Sequence, residues 1–142
     1  MGKRINIGLV AIAMVGLGAC GNAELKAVQA DCSVLMAGEE PMEELTRQNI
    51  SLDDFCTCAS EAILALEPGQ KDAFVTGMAY MASEIGEGRS AQDIYSALRR
   101  ESRADEATEE IKALFKSVDD LGEQLEDTLD KMGMNGGVCV SS

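Results

Sequence analysis

The sequence predicts an all-α fold, a small bundle of about five or six helices stapled by disulfides. Three observations predict it. Apolar residues recur three and four positions apart almost everywhere and nowhere in sustained alternation, the period of helices with one buried face. A serine followed three residues later by aspartate, at Ser51 and again at Ser90, marks the start of two helices. Four cysteines, Cys32, Cys56, Cys58 and Cys139, lie beyond an apolar N-terminal run, an even number that suits pairing.

The first helix is expected to be capped by Asn22, to present Leu25, Val28, Cys32, Leu35 and Met36 on its inner stripe, and to stop at Gly38. A short acidic segment follows, with Pro41 in its first turn and Met42 and Leu45 as apolar contacts. The next helix has the clearest start: Ile50 precedes the Ser51 cap, Asp54 stands at the third helical position and Phe55 at the fourth, a hydrophobic staple around an aspartate version of the capping box. That register places Leu52, Phe55, Cys56, Ala59, Ile63 and Leu66 on one face, and Glu67-Pro68-Gly69 ends the helix.

A fourth helix runs to about Ile85, with Phe74, Met78, Met81 and Ile85 inward and Gly77 placed for close helix approach. The fifth, from Ser90, turns Ala91, Ile94, Tyr95 and Leu98 inward and carries Arg99, Arg100 and Arg103 near its end, where the helix dipole favours cations. The last and longest repeats Ile111, Leu114, Val118, Leu121, Leu125 and Met132 at three- and four-residue steps, with Thr128 the polar member and Leu129 beside it. Packing on its own domain is expected rather than a free coiled coil. Gly133 and the Gly136-Gly137 pair release a tail carrying Cys139.

The chain's start carries an address. Lys3 and Arg4 precede an uncharged run from Ile5 to Ala19, a basic start and an apolar stretch that read as a secretory signal. It falls short of the roughly 20 apolar residues that a transmembrane helix needs and is punctuated by Gly8, Gly16 and Gly18. Leu17-Gly18-Ala19-Cys20 resembles the lipobox of bacterial lipoprotein precursors, and the resemblance covers the leader alone. It implies cleavage before Cys20, a diacylglycerol on that thiol and acylation of the new amine, so that Cys20 is an anchor and not a catalyst. Gly21, at the position where aspartate signals inner-membrane retention in enterobacteria, implies sorting to the outer membrane, facing the periplasm. By residue size alone, Gly21-Asn22-Ala23 also fits ordinary cleavage after Ala23. The expected organisation is a signal peptide over 1–19, one helical domain over 20–132 and a Gly-rich tail over 133–142.

Composition narrows the function. The chain has 25 acidic and 12 basic residues, a net charge of −13; without Lys3 and Arg4 the balance is 10 minus 25, or −15. Nucleic-acid binding is not expected, because phosphate contacts need lysine and arginine in a shared patch. Histidine is absent, which removes the commonest general base and the commonest metal ligand. No Ser-His-Asp or Cys-His pairing, His-containing zinc motif, Gly-rich phosphate loop of the usual spacing or EF-hand can be written on the chain, so no catalytic residue, resident metal or cofactor is expected.

In an oxidising compartment the four remaining cysteines are expected as disulfides. Residues two apart on a helix point roughly 200° apart, so Cys56 and Cys58 look to different partners. Cys32 and Cys56 share inward faces and are paired here, leaving Cys58 for Cys139; exchanging Cys56 and Cys58 also satisfies the spacing. The expected role is a membrane-anchored, monomeric binding or structural module with an unidentified envelope protein as partner. The alternative is a soft-metal carrier for copper or zinc, using Cys56 and Cys58 as thiolates and Met78, Met81, Met132 or Met134 as thioethers.

Overall fold

The computed structural model describes residues 17–140, with side chains from Gly21 onward, so the leader expected over 1–19 lies largely outside the described residues. The chain forms six α-helices: α1 (Leu17–Met36), α2 (Glu39–Arg47), α3 (Leu52–Leu64), α4 (Pro68–Gly86), α5 (Ala91–Ser102) and α6 (Glu109–Met134). Among the described residues there is no strand, and no helix is long and apolar enough to cross a membrane.

Local chemistry sets most of these boundaries. The Ser51 hydroxyl accepts from the Asp54 amide at 3.1 Å and donates to the Asp54 carboxylate at 2.6 Å. Ser90 and Asp93 repeat the arrangement at 3.1 and 2.7 Å. Each cap satisfies an amide that the helix leaves without a partner. Pro68 opens α4, where its missing N–H is not needed. At the far end of α6, Gly136 and Gly137 take left-handed backbone angles, φ 69° and 84°, and the Gly137 amide donates back to the Met132 carbonyl at 2.8 Å.

Two local readings change, while α1 does end at Met36, just before Gly38, which is extended, φ −64° and ψ 160°, at the start of α2. Asn22 lies inside α1, which includes the residues before it from Leu17; the isolated glycines there weaken a helix by only about 1 kcal/mol each and do not end it. Met42 faces solvent, and α2 docks through the fully buried Leu45.

The core has two parts. Phe55, Ile63, Leu45, Met78, Leu121 and Met132 centre the larger one, where α1, α2, α3 and α4 meet the middle and C-terminal half of α6. Met81, Ile94, Leu98 and Val118 form the smaller, where α4 and α5 meet the N-terminal half of α6. Leu35 touches both. Helix α4 lies close on α6 at Gly77: a Cβ there would meet the Ser117 carbonyl carbon at 3.3 Å and the Val118 amide nitrogen at 3.4 Å.

Candidate functional site

Helix α3 organises the sulfur chemistry. Its register brings Cys56 against Cys32 of α1, with S–S 2.03 Å and Cα–Cα 5.6 Å, and Cys58 against Cys139, with S–S 2.04 Å and Cα–Cα 5.5 Å. Both distances suit an ordinary disulfide. The Cys32–Cys56 bridge lies in the core, its residues 0% and 2% exposed. Cys58 is buried too, although periodicity places it on the flank of α3; the returning tail covers it, and with Val140, Ala62, Thr128 and Met132 it lines a crevice of about 30 Å³. Cys139 itself is exposed. Between the two half-bridges, the Thr57 hydroxyl accepts from the Gln29 side-chain amide at 3.3 Å.

In this covalent state neither Cys56 nor Cys58 offers a thiolate. Met78, Met81 and Met132 are core residues, and Met134 is 79% exposed. Among the described residues no three histidine, cysteine, aspartate or glutamate side chains gather in a ligand set.

The main concavity is an open groove of about 630 Å³. Helix α6 forms its long wall from Val118 to Leu129, α2 lines one side through Glu40, Pro41 and Glu44, and the start of α5 lines another through Ala91, Gln92 and Tyr95. Buried Met36 and Met81 and half-buried Leu35 make the floor. The groove therefore lies over the seam between the two core clusters. Its rim is acidic. Glu44 is neutralised by Arg47 and accepts from the Gln48 amide at 2.7 Å, whereas Glu40, Glu123 and Glu126 have no ion pair among the described residues.

At one end the Tyr95 hydroxyl donates to Asp119 at 2.5 Å, tying α5 to α6. That hydrogen bond, with desolvation and the carboxylate charge, holds the Tyr95 phenol above its ordinary value, against the pull of Arg99 and Arg103. Partial burial likewise raises the Asp31 carboxyl on α1 above the usual carboxylate range. Arg99, Arg100 and Arg103 are exposed around the end of α5, where cations complement the helix dipole.

Two features escape reading by sequence. Thr108 caps α6, accepting from the Ile111 amide at 3.3 Å; a threonine before the acidic pair Glu109-Glu110 is its signal. The groove has no local signal, because its lining comes from five helices, as apolar residues that read as core and acidic residues that read as ordinary surface. Compared with known proteins, the chain matches no family model, no curated protein and no solved structure.

Proposed function

We propose that this chain is a bacterial lipoprotein whose helical domain is held at the cell-envelope membrane by acylated Cys20 and acts there by binding. The reading adds outer-membrane sorting, facing the periplasm, and assigns no catalytic residue. One observation carries most of its weight: the two disulfides take up Cys32, Cys56, Cys58 and Cys139, and Cys20 of the lipobox-like Leu17-Gly18-Ala19-Cys20 is the cysteine left over. Structural disulfides are at home in exported proteins.

The start of α1 suits an anchor. Gly21, Asn22, Ala23 and Glu24 are all exposed, and burial begins only at Leu25 and Val28. Several acyl chains on one cysteine hold a protein far more firmly than a single chain does.

The test is an intact mass of protein extracted from native membranes and treated with iodoacetamide without reduction. The expected species lacks residues 1–19, carries acyl chains and shows no alkylation. Retention of the leader, cleavage after Ala23, or an unacylated Cys20 overturns the anchor. Alkylation of Cys32, Cys56, Cys58 and Cys139 overturns the oxidised state and with it the case for export.

A further inference from the structure

We propose that the groove between α2, α5 and α6 receives a basic amphipathic helix of a partner protein. The inference rests on the binding role above and names the chemistry of what is bound. The groove combines an apolar floor with an anionic rim, and each half selects a property of the occupant.

The floor asks for apolar side chains in a row. The α6 wall beside that floor, with Val118, Leu121, Leu125 and Leu129 on it, runs from Val118 to Leu129, a length of about 16 Å at the helical rise. That is about three turns, the span over which a docked helix presents residues at i, i+3, i+4 and i+7. Leu35 and Leu129 are only half-buried and lie where such side chains would complete their cover. No strand among the described residues supplies an edge for an extended peptide, so helix-in-groove docking is the mode this surface supports.

The rim selects the charge. Glu40 stands on the α2 side and Glu123 and Glu126 on the α6 side, all exposed and all without an ion pair among the described residues. On α6, Lys116 is held by Asp120 at 2.6 Å and Lys131 by Asp127 at 2.7 Å. An occupant with lysine or arginine flanking its apolar stripe therefore meets carboxylates on both sides. Anionic lipid headgroups and a second copy of this chain, with its net charge of −13, meet repulsion instead.

The probe is a synthetic leucine-lysine amphipathic helix of about 14 residues, fluorescently labelled, with a glutamate-for-lysine analogue and a scrambled sequence as controls. The processed protein is used as purified, in zwitterionic lipid nanodiscs if acylated and in buffer if not, with empty nanodiscs subtracted. Saturable 1:1 binding of the lysine peptide that weakens steeply with salt is expected, together with a loss of about tenfold in the Glu40→Gln, Glu123→Gln, Glu126→Gln triple variant. These are exposed positions, so the variant keeps its fold, which circular dichroism checks; Leu129→Lys should abolish binding by placing a cation in the apolar α6 wall. Equal binding of the glutamate peptide, an unchanged affinity in the triple variant, no binding beyond empty nanodiscs, or self-association through this face each overturns the proposal. Because the mass measurement and the peptide titration read different things, an acylated protein that ignores the peptide sinks this inference and leaves the anchor standing.

Discussion

At the scale of single residues, one buried side-chain polar atom among the described residues lacks a partner. The Ser60 hydroxyl, on the buried face of α3, is fully enclosed and makes no hydrogen bond, whereas buried Thr128 donates to the Gln124 carbonyl at 2.8 Å. An enclosed hydroxyl without a partner forfeits its hydration with nothing in return. Ser60→Ala should therefore leave stability unchanged or raise it by about 1 kcal/mol, read as the urea midpoint, while loss of more than that would show an interaction at this hydroxyl. Periodicity alone sets Ser60 one position beyond Ala59 on the edge of the inner face. Its full burial is set by the helices packed against α3, chiefly α1 and α6, a tertiary matter.

At the scale of elements, the contact of α4 with α6 turns on Gly77. Its neighbours are backbone atoms of Ser117 and Val118, which cannot rotate away as a flexible side chain would. Gly77→Val should push the helices apart and destabilise the domain by about 1 to 3 kcal/mol. Gly77→Ala, which gains about 1 kcal/mol of helix propensity against a milder clash, should cost less than the valine variant; comparable losses in the two would place the effect elsewhere. Elements were the legible scale. Ser51 and Ser90 announce α3 and α5 because a cap is a contact between residues three apart, and such contacts are written in the local sequence. The burial of Cys58 and the groove depend on which segments meet across the fold. A stripe such as Leu121, Leu125 and Leu129 specifies that a face is covered without naming the cover.

At the scale of the whole molecule, two covalent rings of unequal accessibility hold the bundle. Loop-closure entropy assigns about 3.5 kcal/mol to the bridge spanning 24 residues and about 4.5 kcal/mol to the one spanning 81. The longer ring closes at exposed Cys139, the shorter within the core. Graded reduction of the native protein should open Cys58–Cys139 first, with Cys32–Cys56 yielding only when the domain unfolds. Mass spectrometry after stepwise trapping reads the order, and simultaneous loss of both bridges would show that the tail shields Cys139 better than its exposure indicates.

The Cys-x-Cys spacing in α3 also decides what a protease can do to this molecule. The two rings do not interlock; they meet at Thr57, so that the backbone traces a figure of eight with one residue at its waist. A cut at any bond inside either loop, including the exposed turn from Arg103 to Glu106 between α5 and α6, leaves every piece joined through sulfur. Between Cys32 and Cys139, only the bonds on either side of Thr57 part the chain into separate halves. Those lie mid-helix, where backbone is least available for cleavage.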